Sequence, residues 1–366
     1  MTLQGVAVLG STGSIGTSTL NVLRRHSDRF RLVALTAGSN ATLLAEQIKE
    51  WQPDFAGLVS GTGPACLIQA ATHPEARIVV NAVVGFAGLA ATLAALKAGK
   101  RVALANKESL VVAGELVRAA ALAGGGELVP VDSEHSAVLQ CIAGREAALR
   151  RLILTASGGP FRDWPPDRLQ RASIAEALNH PTWRMGNKIS VDSATLANKA
   201  MEVIEAHHLF GLPYDRVEVV VHPQSIIHAL VGLADGSVLG QLGFPSMELP
   251  ILYALTHPER LDDAAGRPFD PVAAGTLTFE PLRADTFRAF HAGVLAGRAG
   301  GTAPAVFNAA NEVAVEAFLA GRIAFGRIAE VIEQTLEQHR AAPADSLDAV
   351  QGADREARAT AGTLAA

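Results

Sequence analysis

The chain has 366 residues, of which 49% are hydrophobic and 18% charged, with a formal net charge of −5. That length suits two or three domains, and the apolar content is ample for a sizeable core while ruling against disorder. The negative balance, with no block of Lys and Arg, argues against nucleic acid as a partner but leaves room for an anionic small substrate in a local basic pocket.

In chain order, strands are expected at 6–9, 31–35, 55–59, 78–84, 102–104 and 128–131, with helices at 18–26, 41–50, 89–98 and 115–123. Strands alternating with helices at this spacing imply βαβ units and a parallel sheet. The segment 78–96 carries no charge and has the length of a membrane span. Asn81, Gly85, Gly88 and Thr92 interrupt it, so it reads as a buried strand and a short helix. Beyond about Pro130 the pattern changes: strands at 151–155, 217–221, 225–233 and 238–242 form a second sheet, with a helix at 193–209 and a loop at 180–187 among them. Gly and Pro accumulate over 261–281, which reads as a linker, and helices follow at 304–320, 325–340 and 354–365. Cys66 and Cys141 lack metal or redox spacing and read as free thiols of a reducing compartment. The first strand begins near Gly5 and leaves no room for a signal or transit leader, so a cytoplasmic location is expected.

Residues Gly10-Ser11-Thr12-Gly13-Ser14-Ile15-Gly16 run from a strand into a helix. Glycines there permit a tight turn, and free N–H groups at a helix start suit a pyrophosphate. An NAD-binding sheet usually ends its second strand in an acid that holds the ribose; here Gly38-Ser39-Asn40 follows, which favours NADPH. Asn106-Lys107-Glu108 follows another strand, where Lys107 can polarise a carbonyl or hold a hydroxyl while Asn106 and Glu108 position the nicotinamide.

Three carboxylates form the second constellation. Asp132 and Glu134 alternate in Asp132-Ser133-Glu134-His135, and read as an extended segment they project together. Glu202 lies one turn beyond Asn198 on a helix. Clustered carboxylates call for a cation, and all-oxygen ligation suits Mg²⁺ or Mn²⁺. Ser157-Gly158-Gly159 makes a nest after a strand, and Ser193 reads as the cap of a helix carrying Asn198 and Lys199; these four polar side chains would cradle a phosphate. The stretch from His180 to Asn187, with Trp183 and Met185, has the composition of a lid that excludes water from a substrate.

With these segments in view, the chain resembles the 1-deoxy-D-xylulose 5-phosphate reductoisomerase family. The resemblance is carried by Gly10–Gly16, 103–110, 130–135, 155–161, 180–186, 188–202, 222–228 and 308–318, all in family order. It implies rearrangement of 1-deoxy-D-xylulose 5-phosphate and NADPH reduction to 2-C-methyl-D-erythritol 4-phosphate. Metal ligands would be Asp132, Glu134 and Glu202. Substrate contacts would be Lys107, Ser133, Glu134, Ser157, His180, Ser193, Asn198, Lys199 and Glu202, with Trp183 of the lid. Lys107, Asp132, Glu134, His180 and Glu202 would carry catalysis. Cofactor contacts would fall on Thr12, Gly13, Ser14, Ile15, Gly38, Ser39, Asn40, Asn106, Glu108 and Gly186. The implied α/β architecture is a homodimer of three parts: a Rossmann-like NADPH-binding domain over 1–130, an α+β connective, catalytic domain over 131–262, and, after a linker at 263–281, a small C-terminal helical domain over 282–366. Two departures stand out: Ser39 where many relatives have Lys, and Ser246 and Glu248 where the family often has Asp and Arg. An ordinary NADP-dependent dehydrogenase of another phosphorylated substrate would leave the three carboxylates without a shared purpose, and a non-catalytic dinucleotide sensor would make Lys107 and the lid superfluous.

Overall fold

A computed structural model describes residues 3–366. Its first half alternates as the apolar runs require: β1 (Gln4–Leu9), α1 (Ser14–Arg25), β2 (Phe30–Ala37), α2 (Ala41–Trp51), β3 (Phe55–Leu58), α3 (Val59–Thr62), α4 (Ala65–Ala71), β4 (Ile78–Asn81), α5 (Leu89–Lys97), β5 (Arg101–Leu104), α6 (Glu108–Gly124), β6 (Glu127–Pro130) and α7 (Ser133–Ile142). Six parallel strands in the order β3-β2-β1-β4-β5-β6 form one sheet. Val6, Val8, Val80 and Ala103 are buried in its core, as expected of a parallel sheet covered on both faces. The strand order reverses direction between β1 and β4, which is where such sheets open a crevice for a ligand.

The chain continues through β7 (Leu149–Ala156), α8 (Pro166–Leu169), α9 (Ile174–Leu178), α10 (Asn187–Ala194), α11 (Ala197–Phe210), β8 (Val217–Val221), β9 (Ile227–Leu233), β10 (Val238–Leu242), α12 (Glu248–Thr256), α13 (Pro271–Ala274), β11 (Glu280–Pro281), α14 (Arg288–Ala299), α15 (Ala303–Leu319), α16 (Phe325–Gln338) and α17 (Leu347–Leu364). The second sheet is mixed, in the order β10-β9-β7-β8-β11, with only β7 and β8 parallel. Helices α14 to α17 pack on one another, and α14 also packs on α11. Gly293 permits that approach, since a Cβ there would lie 2.6 Å from both the Ala200 Cβ and the Phe307 ring. Among the described residues no helix is long and apolar enough to cross a membrane.

Contacts divide the chain into two compact units that do not follow the expected boundaries. The first holds the residues up to Ser109, Leu116–Ala143 and Ser246–Pro268; the second holds Leu110–Glu115, Gly144–Pro245 and Phe269–Ala366. The expected connective domain over 131–262 differs from this division at both ends. Helix α7 packs with the first unit, and α12 returns there because Ile251, Leu252, Ala254 and Leu255 join the core of the parallel sheet. The expected linker over 263–281 contains α13 and the edge strand β11. The strand expected over 78–84 stops at Asn81, whose buried side chain receives the Val83 N–H and donates to the Gly88 carbonyl, turning the chain. The helix expected from 115 begins at Glu108 and is interrupted at Ala113 (φ −147°, ψ 37°).

Candidate active site

The loop after β1 is built by its glycines. Gly10 takes φ +80°, and a Cβ there would lie 2.6 Å from the Ala82 carbonyl oxygen; a Cβ on Gly16 would lie 2.3 Å from the Gly10 oxygen. Gly13 stands at the N-cap of α1, whose first turn has no acidic side chain. The free N–H groups of Ser14 and Ile15 and the positive end of α1 are thus unopposed for an anion. Gln47 of α2, which sequence reasoning passed over, fixes the loop: it accepts from the Ser11 hydroxyl at 2.6 Å and donates to the Ser11 carbonyl at 2.9 Å. At the end of β2, Gly38, Ser39 and Asn40 are exposed, and the Asn40 side chain caps α2 by accepting from the Leu43 N–H at 3.1 Å. No carboxylate stands in that stretch to repel a ribose phosphate.

Asn106 is almost wholly buried. Its amide donates to the carbonyls of Val83 and Gly85 and to Glu108 Oε2 at 2.7, 2.9 and 3.0 Å, so Asn106 shapes the turn after β4. Lys107, at the start of α6, reaches Asp132 Oδ2 at 2.7 Å.

Asp132 and Glu134 neighbour each other for a reason other than strand alternation, which corrects the extended reading. Asp132 is the N-cap of α7, its Oδ1 accepting from the Glu134 N–H at 3.2 Å, and Glu134 lies in the first turn. Buried His135 brings Nδ1 within 3.3 Å of Asp132 Oδ1. Burial opposes the Asp132 charge, but Lys107 and His135 outweigh it and hold the carboxyl well below its usual range. Asp132 is therefore ionised at neutral pH. Ser133 donates to Glu134 Oε2 at 2.5 Å. His135 was legible only as a titratable residue three positions after an acid; its role follows from the cap.

The second unit holds the residues expected to bind a phosphate. Gly158 and Gly159 take φ +85° and +66° after β7, and a Cβ on Gly159 would meet the Ser193 carbonyl oxygen at 2.8 Å, so this turn lies directly on the residue expected to share its anion. His180 Nε2 lies 3.0 Å from Ser157 Oγ. His180 Nδ1 accepts from the N–H groups of Thr182 and Trp183 at 3.1 and 2.9 Å, which assigns the ring proton to Nε2. Burial pushes the His180 pKa down to about 4. Ser193 does not cap a helix, contrary to expectation: the helix expected over 193–209 is two, and Ser193 falls in the last turn of α10. Leu196, in the left-handed region at φ 59°, separates α10 from α11. Asn198 and Lys199 then occupy the first turn of α11. Asn198 donates to Glu202 Oε1 at 2.5 Å, and buried Lys199 pairs with Glu202 and donates to the Thr155 carbonyl at 2.6 Å. Gly186 is the N-cap of α10, and Trp183 is half-buried in the stretch before it.

Family models match in three pieces: 1-deoxy-D-xylulose 5-phosphate reductoisomerase over residues 6–61 and 57–114, its C-terminal domain over 128–210, and the DXP reductoisomerase C-terminal domain over 242–360. The 1-deoxy-D-xylulose 5-phosphate reductoisomerase of Gloeobacter violaceus is 50% identical, over 97% of this chain and 96% of its own. The chain belongs to the 1-deoxy-D-xylulose 5-phosphate reductoisomerase family. The Geobacillus kaustophilus member is 49% identical, with 98% of each chain covered. Among solved family structures, the Zymomonas mobilis enzyme in complex with NADPH superposes with a TM-score of 0.91 at 40% identity, covering 100% of this chain and 99% of that one. A reductoisomerase in complex with NADPH, fosmidomycin and magnesium gives 0.92 at 40% identity, covering 99% and 98%. The departure at Glu248 has a local account. Glu248 Oε2 accepts from Arg25 at 2.8 Å beside the Arg25–Asp263 pair, and the Ser246 hydroxyl accepts from the Glu248 N–H at 3.2 Å.

Proposed function

We propose that this chain rearranges 1-deoxy-D-xylulose 5-phosphate and reduces the product to 2-C-methyl-D-erythritol 4-phosphate, a step of the non-mevalonate route to isoprenoid precursors, with NADPH and Mg²⁺ or Mn²⁺. The family match over nearly the whole chain carries this reading. Bound NADPH supplies the hydride, and the cation neutralises negative charge gathering on the substrate's oxygens.

The residues fit both groups. An acid-free helix start behind a left-handed glycine suits a pyrophosphate, so Thr12, Gly13, Ser14 and Ile15 hold that part of NADPH. Gly38, Ser39 and Asn40 receive the adenosine end; Asn106, Glu108 and Gly186 receive the nicotinamide end. Asp132, Glu134 and Glu202 supply only oxygen, as a hard cation requires, and Lys107 and Lys199 pair with two of them.

On the substrate, Lys107, Ser133 and Glu134 orient the reacting hydroxyl and carbonyl groups. Ser157, Ser193, Asn198 and Lys199 bind the phosphate, giving remote binding energy that orients the reacting end. His180 acts as a neutral donor. Its Nε2–H, together with the Gly159 N–H at 3.3 Å, satisfies the Ser157 oxygen and leaves the Ser157 proton to donate to an anion. Trp183 closes over the substrate and excludes water.

The homodimer and the cytoplasmic location are parts of the same proposal. Two buried free thiols, Cys66 and Cys141, support a reducing compartment. The test is product analysis by phosphorus NMR and mass spectrometry after incubation with substrate, NADPH and Mg²⁺. One reduced phosphomonoester per NADPH consumed is expected; unchanged substrate, or reduction of the unrearranged sugar phosphate, would refute the assignment.

A further inference from the structure

We infer that Asp192 is a positioning residue for the phosphate cradle, held from one side by Lys188 and from the other by Asn311 of α15, so that the C-terminal helices set the cradle's geometry. The inference rests on the proposed phosphate role of Ser193, the next residue in the chain.

Asp192 is 1% exposed. A carboxylate buried to that degree persists only with partners on both oxygens. Lys188, one turn earlier on α10, places Nζ 2.9 Å from Oδ2. Asn311, itself wholly buried, donates from Nδ2 to Oδ1 at 2.8 Å across the packing of α10 on α15. The Asp192 carbonyl accepts from the Thr195 hydroxyl at 3.2 Å, and Thr195 Oγ1 receives the Ala197 N–H at 3.3 Å, bracing the bend between α10 and α11. Asp192 therefore ties three things together: α15, the last turn of α10 carrying Ser193, and the bend that delivers Asn198 and Lys199. The Ser193 carbonyl in turn abuts Gly159 of the Ser157 turn. Neither Asp192 nor Asn311 is assigned a contact with substrate, so both act through Ser193 and the start of α11.

The polarity of the Asp192–Asn311 bond gives a clean test. In Asp192→Asn one of the two donors, Lys188 or the Asn311 amide, faces a second donor at unchanged volume. In Asn311→Asp two carboxylates face each other. The double variant D192N/N311D restores a donor–acceptor pair with its direction reversed, while the amide oxygen introduced at position 192 still serves Lys188. Each single variant is expected to raise the KM for 1-deoxy-D-xylulose 5-phosphate about tenfold, the scale expected of a small misplacement. NADPH affinity should change far less than that KM, since the dinucleotide loop lies in the other unit and in this one only Gly186, the N-cap of α10, is assigned to the cofactor. The double variant should recover most of the loss. Hydrogen exchange over 187–196 supplies the second reading: faster in each single variant, restored in the double. Wild-type KM and wild-type exchange in Asp192→Asn, or a double variant as impaired as the singles, would overturn the inference. If the wild type itself does not turn over this substrate, the proposed function fails, and the exchange comparison alone decides the anchor.

Discussion

Neutral His180 is the residue whose chemistry the surroundings dictate most directly. Its pKa falls to about 4 from the ordinary 6.5 through burial, and Nδ1 is already an acceptor for two backbone N–H groups. The unfolded chain takes up this proton as pH falls through about 6.5, while the folded chain does not until about 4. Stability from His180 is thus fully present above 6.5 and declines toward 4, by at most about 3 kcal/mol given its partial exposure. Urea unfolding at pH 7 and pH 5 should therefore show a smaller pH dependence in His180→Gln than in wild type; equal slopes would contradict the neutral assignment. Gly10→Ala places a Cβ 2.6 Å from the Ala82 carbonyl in a left-handed conformation, and should cost about 1–3 kcal/mol in stability together with NADPH affinity, read by denaturation and by cofactor titration. Ser39→Lys should lower the KM for NADPH, because a cation there would meet the ribose phosphate; an unchanged value would mean that another group holds that phosphate. Much of the site was legible at this scale because glycines at a strand end and acids in close sequence carry their chemistry in residue type. Partners such as Gln47, His135 and Asn311 come from distant or unmarked positions and emerge only with the fold.

Elements decide how those residues meet. The strands of the parallel sheet were legible because each is a short apolar run between turns, and β8 and β10 have the expected bounds. The α10–α11 bend was not, because nothing in Ser193-Ala194-Thr195-Leu196-Ala197 breaks a helix: the left-handed conformation falls on a leucine, where the sequence offers no glycine. Asp132 likewise looked like a strand residue and is a helix cap. Substitution separates its two roles. Asp132→Asn keeps a good capping side chain while removing the charge that pairs with Lys107, so its thermal midpoint should stay closer to wild type than that of Asp132→Ala, which also loses the cap at a cost of about 1 kcal/mol. Both should lose metal-dependent turnover alike, and full activity in Asp132→Asn would remove Asp132 from the ligand set.

At the scale of the whole molecule, the chain leaves and re-enters its units. Helix α12 returns to the first core more than a hundred residues after α7, and Leu110–Glu115, inside α6, belongs to the second unit. Sequence reading assigned contiguous domains because local composition carries no record of which core a helix will join; α12 is apolar enough for either. Light scattering on the purified protein should give a mass twice that of one chain if the proposed homodimer holds, and a single-chain mass would reject it. The proposed reaction brings NADPH, a divalent cation and a phosphorylated sugar together on this chain. It is tested most directly by following NADPH absorbance with 1-deoxy-D-xylulose 5-phosphate, with Mg²⁺ or Mn²⁺ against a chelator. Oxidation of NADPH that requires both the sugar phosphate and the cation is the predicted result; oxidation that persists in chelator, or none in folded protein that still binds NADPH, would contradict the account.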